Sequence, residues 1–262
     1  MQLKLYQIDA FTDRVFSGNP AGVCPLEAWL PDATMQAIAA ENNVAETAFF
    51  IAGVPHYRLR WFTPTVEVPL CGHATLASAF VIMTELDRGR TSVSFETKSG
   101  VLSVARAGDM LTLDFPCYPP QPANPPARLA IALGVQPLEI WQAKQYMAVL
   151  ANETAVRDLK PDFSTFDWLD GRDVVVTAKG NDCDFVSRFF APNHGIAEDP
   201  VTGSTHCTLT PYWAGRLGKN KLRAKQLSSR GGELLCELKG ERVLISGRCA
   251  KYLEGEIMLA GA

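Results

Sequence analysis

The chain has 262 residues, is 47% hydrophobic, and carries 25 Lys and Arg against 28 Asp and Glu, for a formal net charge of −3. That length and apolar content support two ordinary domains or one large one and exclude intrinsic disorder. The mild acidity gives no reason to expect nucleic acid or an anionic membrane as a partner.

The seven cysteines, at 24, 71, 117, 183, 207, 236 and 249, are odd in number and show no CxxC pair. Reduced thiols in a cytoplasmic protein fit better than a disulfide framework. Met1 to Ala10 has no basic leader and alternates like a strand, and no apolar run reaches the length of a membrane span.

In chain order, Leu3 to Phe11 reads as a first strand. Ser17-Gly18-Asn19-Pro20-Ala21-Gly22 is a turn signal before a return strand near Val23. Pro31-Asp32 opens a helix that places Met35, Ile38 and Ala39 on one face and stops near Asn42-Asn43. Glu46 stands at the mouth of a strand through Ile51, and Tyr57 to Phe62 alternates as another. A helix follows Gly72, carrying Leu76, Phe80, Val81 and Met83. Strands then cluster at 93–96, 101–105 and 110–115.

Residues 116–126 hold six prolines, which end a sheet and stiffen a connection, so the domain boundary falls there. The expected organisation is an N-terminal half, 1–115, joined by the 250–262 strand, and a C-terminal half, 127–249. The second half reads as a helix near 129–133 and strands at 146–150, 174–178 and 184–190. A second glycine-led helix over 207–217 follows, then strands at 222–227, 234–238, 243–246 and 256–259. Many strands around one long apolar helix in each half predict an α+β fold.

One stretch has an echo. Glu198-Asp199-Pro200-Val201-Thr202-Gly203-Ser204 shares Glu-x-Pro-aliphatic-x-Gly with Glu67-Val68-Pro69-Leu70-Cys71-Gly72, and each runs into an apolar helical segment. Upstream, Arg60-Trp61-Phe62-Thr63-Pro64 matches Arg188-Phe189-Phe190-Ala191-Pro192. Two such blocks half a chain apart predict a duplicated domain.

Asp199 can serve as base, acid or anchor, and Ser204 or Thr205 can cap the second helix. Helix starts offer unpaired N–H groups to a carboxylate. Glu46 lies among Ala45, Ala48, Phe49 and Phe50, where the neutral carboxyl is favoured. That suits a general acid or base, although a strand-edge glutamate facing water reads the same way locally. His73, after Cys71-Gly72, can polarise substrate, move a proton or bond the backbone. His56, His194 and His206 show no metal-ligand spacing, and His206 reads as packed. There is no zinc motif, P-loop or dinucleotide fingerprint. Gly231-Gly232 is a hairpin turn, and the basic run Lys219 to Arg230 reads as a solvated strand face.

Four blocks together resemble the PhzF family of phenazine-biosynthesis-like isomerases, a branch of the diaminopimelate-epimerase-like fold. They are Phe16-Ser17-Gly18-Asn19-Pro20-Ala21-Gly22-Val23, Asn43-Val44-Ala45-Glu46-Thr47-Ala48-Phe49, Cys71-Gly72-His73-Ala74-Thr75 and the Glu198 to Ser204 stretch. The resemblance runs in family order from Met1 to the C-terminal strands. It implies two pseudo-symmetric domains, each a barrel-like, mostly antiparallel sheet wrapped around a central helix, with the active site in the cleft between them. It implies a cofactor-free, metal-free isomerase that moves a proton within a small carboxylic acid. Glu46 matches the acid/base residue. His73, Asp199, Ser204 and Asn19 match substrate-binding or supporting positions, with Gly72 and Gly203 shaping the loops. A small carboxylate is the expected partner, and a homodimer is the assembly allowed for.

Two alternatives stand beside this reading. Racemases of the wider fold use two cysteines, one before each glycine; here Cys71 precedes Gly72, but Thr202 precedes Gly203. A hydroxyl is far too weak an acid to replace a thiol, which argues against a cysteine-assisted racemase or epimerase. A non-catalytic small-molecule-binding or interaction protein on the same fold is the other alternative.

Overall fold

The structure, a computed structural model, describes every residue except 125, 127, 169, 170, 193–195 and 260–262. Pro125, His194 and the end of the expected 250–262 strand therefore lie outside the described residues. The chain forms two compact units, Met1–Asp114 with Ser246–Ala262, and Phe115–Ile245. Residues 116–126 belong to the second.

In the first unit the strand Gln2–Ala10 buries Leu3, Tyr6 and Ile8. It pairs antiparallel on one side with the C-terminal strand Cys249–Met258 and on the other with Asn19–Leu26. Asn19–Leu26 then runs parallel to Glu46–Ile51, which pairs antiparallel with Tyr57–Phe62. Glu67–Val68 returns antiparallel along Tyr57–Phe62, Ser92–Thr97 joins that strand in parallel, and Gly100–Ala107 follows antiparallel. The helix Asp32–Asn42 stops at Asn43, which takes the left-handed conformation (φ 47°) and returns its N–H to Ala39. Asparagine tolerates that region better than most residues.

The helix Gly72–Val81 packs on the Gln2–Ala10, Asn19–Leu26 and Glu46–Ile51 strands. All of its residues but Phe80 are buried. A helix apolar on every face has to sit inside a sheet. Burying Leu76 and Val81 completely contributes about 1.5–3 kcal/mol each.

The second unit repeats this order of pairings. Glu139–Gln142 pairs antiparallel with Tyr146–Val149, which runs parallel to Val174–Lys179, itself antiparallel to Phe185–Ala191. Ile196–Asp199 makes the short antiparallel return, Lys221–Gln226 joins in parallel, and Gly232–Lys239 follows antiparallel. The long helix, His206–Leu217, packs on the last two. The fold is thus sheet-dominated α+β in two pseudo-symmetric units, each a mostly antiparallel sheet on one helix.

The sequence echo has a physical basis. Arg60 grips Glu67 through two bonds of 2.8 Å, and Arg188 grips Glu198 through bonds of 2.7 and 2.9 Å. Each guanidinium also lies 5.1 Å from the centre of the phenylalanine ring two residues on, Phe62 or Phe190. Each fork ties a strand to the return strand that leads towards its helix. Planar two-bond recognition of this kind requires arginine.

The second helix contains Pro211, which has no N–H for the carbonyl of Cys207. The amide of Tyr118 bonds that carbonyl instead, at 3.0 Å, and so seats part of the proline-rich stretch on the helix.

Candidate functional site

In the first unit three separate segments bring four side chains together. Gly18 is held at φ +66°, where a Cβ would fall 2.2 Å from the Ala10 carbonyl oxygen, so only glycine fits the turn that delivers Asn19. Asn19, fully buried, presents Nδ2 3.1 Å from His73 Nδ1. Glu46 opens its strand opposite Ala21, and its Oε2 lies 3.1 Å from His73 Nε2. Cys71, extended at the helix N-terminus, brings Sγ to 3.5 Å from His73 Nδ1. The His73 side chain is 5% exposed and that of Glu46 12%, so the carboxyl is the more open edge of the cluster.

Electrostatics follow from this packing. Burial alone would lower the pKa of His73; Cys71 and the Glu46 carboxylate outweigh it and hold the imidazole well above its ordinary value. A neutral ring accepts from Asn19 at Nδ1 and carries its proton on Nε2, towards Glu46. A charged ring donates on both sides, which the Asn19 amide accommodates by presenting its oxygen. Burial first, then the Glu46 charge, pushes the Cys71 thiol up to about 11. Neither Glu46 Oε2 nor His73 Nε2 has a well-aligned hydrogen bond among the described residues, despite their proximity. The first amides of the Gly72 helix also have no acceptor within the helix, and they carry its positive dipole end. The cluster therefore combines a carboxylate, an imidazole and an anion-favouring helix start. Glu46, Cys71 and His73 are also a possible donor set for a metal, with one ligand atom from each lying within 4.8 Å of the others.

Asp199, Gly203 and Ser204 share a loop in the second unit. Asp199 ends the strand Ile196–Asp199 and accepts a 2.5 Å bond from the Thr202 hydroxyl. Ser204 is exposed. The helix itself starts at His206, three residues beyond Gly203, after a tighter turn in which His206 N bonds Gly203 O and Cys207 N bonds Ser204 O. Thr205 occupies the cap position, but neither its hydroxyl nor that of Ser204 caps the helix as the sequence led us to expect. Gln145, 60 residues away, donates to the Thr205 hydroxyl at 2.7 Å. His206 is packed, its Nδ1 2.9 Å from the Thr202 carbonyl oxygen.

Sequence reasoning missed Gln226. This buried side chain accepts from the Thr202 amide at 2.8 Å and donates to the Asp199 carbonyl at 2.8 Å and the Thr202 hydroxyl at 3.2 Å. It pins both ends of the Asp199–Thr202 turn. It lies at the end of an ordinary strand, and no motif marks it.

A family model for phenazine biosynthesis-like proteins, PhzC-PhzF, matches residues 8–255. An uncharacterized isomerase of Pseudomonas aeruginosa is 51% identical over 259 residues, covering 99% of this chain and all of the relative. The crystal structure of a PhzF-family phenazine biosynthesis protein from Enterococcus faecalis aligns with a TM-score of 0.96 at 45% identity, over 99% of this chain and 100% of that one. A hydroxyproline epimerase from Agrobacterium vitis aligns with a TM-score of 0.61 at 10% identity, over 98% of this chain and 92% of that one, a likeness of fold alone.

Proposed function

The chain belongs to the phenazine biosynthesis-like, PhzF, family, and from that premise we propose that it is a cofactor-independent isomerase with Glu46 as its acid/base. The observation that carries this reading is the Glu46 carboxylate, 3.1 Å from the buried imidazole of His73 beside the start of the Gly72 helix. The substrate class is a small carboxylic acid with a double bond or an acidic C–H near its carboxyl group.

The Glu46 carboxylate takes a proton from carbon. The electron pair left behind spreads into the conjugated carboxyl group, and the Glu46 carboxyl then returns the proton to a different carbon. His73 and the first amides of the Gly72 helix stabilise the enolate-like charge as it grows. Asp199, oriented by Thr202, and the exposed Ser204 position substrate.

The test is a screen of small carboxylic and amino acids in D2O, read by loss of C–H proton signals. Exchange at one site, abolished in Glu46→Gln, supports the reading; the loss should be roughly 10²–10⁴-fold, the usual worth of a positioned acid/base. Cys71→Ala should be much milder, and His73→Asn and Asp199→Asn should each slow turnover. An active Glu46→Gln protein beside an inactive Cys71→Ala protein would shift the assignment to a cysteine mechanism. Binding with neither exchange nor signals of a rearranged product would favour a non-catalytic protein.

A further inference from the structure

We propose that a groove on the second unit binds a small, uncharged aromatic molecule bearing a hydrogen-bond acceptor such as a carbonyl. Its cavity measures about 330 Å³, a volume suited to a small molecule, and three segments wall it. The proline-rich stretch supplies Pro119 and Pro120, the strand Glu139–Gln142 supplies Trp141, and the helix His206–Leu217 supplies Tyr212, Gly215 and Arg216. With a rise of about 1.5 Å per residue, Gly215 lies roughly 14 Å along the helix from His206 and the Asp199–Ser204 loop before it.

Gly215 points to an occupant. A glycine with helical backbone destabilises the helix relative to alanine. The helix stop does not require this one, because Gly218 makes the stop in the left-handed conformation at φ 66°. A Cβ built on Gly215 would meet no atom within 4 Å beyond its own turn of helix and its chain neighbours. The fold therefore neither needs this glycine nor fills the space it leaves, and that space belongs to the groove. A flat ring can lie directly on the helix backbone there.

Glu139 organises the polar edge. Its Oε2 accepts from Trp141 Nε1 at 2.9 Å and from the Tyr212 hydroxyl at 3.1 Å, and its Oε1 accepts from Arg216 Nη2. The Trp141 and Tyr212 rings meet edge to face with centres 5.4 Å apart, an arrangement that extends readily to a third ring. Glu139 and Arg216 cancel in charge, and burial pushes the Tyr212 phenol up to about 12, so it stays neutral. An ionic ligand would lose hydration here without gaining a counter-charge, and an anion would also face the negative end of the helix dipole. A donor remains. A guanidinium has five N–H groups, of which Arg216 commits one to Glu139 and its Nε, at 3.0 Å, to the Tyr212 hydroxyl. Nη1 makes no hydrogen bond among the described residues and can donate to a carbonyl oxygen on a ring seated over Gly215.

The experiment follows 4-fluoroacetophenone by fluorine NMR on the full-length protein, with benzoate, benzylammonium and cyclohexyl methyl ketone as competitors. Saturable binding with a Kd on the order of 1 mM is expected for so small a ligand, and the two ions and the saturated ketone should displace it poorly. Gly215→Leu fills the groove and should weaken binding by about tenfold or more, with a thermal midpoint at or above wild type. Gly215→Ala should weaken it by a smaller factor and raise the midpoint, which keeps the test open if leucine disturbs the fold. Arg216→Met keeps the stem, removes the donor and leaves the Glu139 charge unmatched, so the preference should turn towards benzylammonium. Glu46→Gln, in the first unit, should bind as wild type does. Absence of saturation, unchanged affinity in the folded Gly215 variants, equal displacement by benzoate or by cyclohexyl methyl ketone, or loss of binding in Glu46→Gln would each overturn the site. So would sedimentation that shows a wild-type dimer turned to monomer by Gly215→Leu, since a second chain would then fill the groove. None of these readouts depends on turnover, so this site and the isomerase reading stand or fall separately.

Discussion

His206 makes the second unit acid-sensitive in a way that can be measured. Its Nδ1 must donate to the Thr202 carbonyl oxygen, so the neutral ring carries its lone pair on Nε2. Nε2 is buried and has no acceptor among the described residues, so an added proton would have no partner. Burial therefore lowers the pKa from 6.5 to about 4, with the Thr202 bond opposing weakly. In the unfolded chain the imidazole regains its ordinary value. The folded pKa is depressed, so this stability is fully present above pH 6.5. It is lost as pH falls through 6.5 towards 4, because only the unfolded chain takes up the proton in that window. Two and a half units at 1.36 kcal/mol each give roughly 3 kcal/mol in all, of which about 2 kcal/mol is gone by pH 5. The assay is urea unfolding from pH 8 to pH 4.5 for the wild type and for His206→Asn, whose amide can still donate to Thr202. The variant should be less stable at pH 8, and the gap should narrow by about 2 kcal/mol by pH 5. Stability curves that stay parallel across this range would refute the argument.

The arginine forks and the buried glutamine give two further tests. Arg188→Ala removes the Glu198 fork and also the donor to the carbonyls of Val156, Arg157 and Leu159. It should cost on the order of 3 kcal/mol in urea unfolding, since it leaves a half-buried carboxylate and several carbonyls unpaired, and more than Arg60→Ala, whose third bond goes to the exposed Asp32. Equal losses for the two would mean that the carbonyl contacts contribute nothing. Gln226→Ala strands the Thr202 amide and the Asp199 carbonyl and should destabilise by on the order of 3 kcal/mol, while raising KM in whichever exchange assay succeeds. A thermal midpoint within a degree of wild type would show that the turn does not depend on this side chain.

Periodic or steeply local features were legible in the sequence. Alternation in Tyr57 to Phe62 marked that strand to the residue, and the Asn42-Asn43 stop corresponds to a left-handed Asn43. The repeated Arg and Glu blocks were visible because each unit needs the same fork. Short elements held by pairing rather than by their own pattern were not legible. The strand Glu139–Gln142 and the helix Glu153–Arg157, capped by Asn152, went unread. Long-range partners were equally invisible. The Thr205 hydroxyl has the composition of a cap, yet Gln145 occupies it, and Gln226 reaches back 24 residues to Thr202. The His73 cluster was legible only in part. Its members stood out one by one, but their convergence depends on Gly18, the opening of the Glu46 strand and the extended Cys71.

The difference between the two echoed blocks bears on the chemistry. Before Gly72 stands a thiol that burial and the neighbouring Glu46 push up to about 11, so it is almost wholly protonated at neutral pH. Before Gly203 stands a hydroxyl already committed to the Asp199 carboxylate. A mechanism with one base on each face of a carbon needs two groups of similar basicity, and these two positions offer neither a pair of thiols nor a free second base. Glu46 has what they lack: a carboxyl oxygen beside an imidazole, at the more open edge of an otherwise buried cluster. Reaction through a single carboxyl returns the proton to the face it left, and so favours moving a hydrogen along a conjugated chain over inverting a centre. Hydrogen should therefore appear on a new carbon of the product, as deuterium wherever the protonated carboxyl exchanges with D2O before giving the proton back, whereas loss of optical activity without relocation of hydrogen would speak for inversion and against the single-carboxyl route.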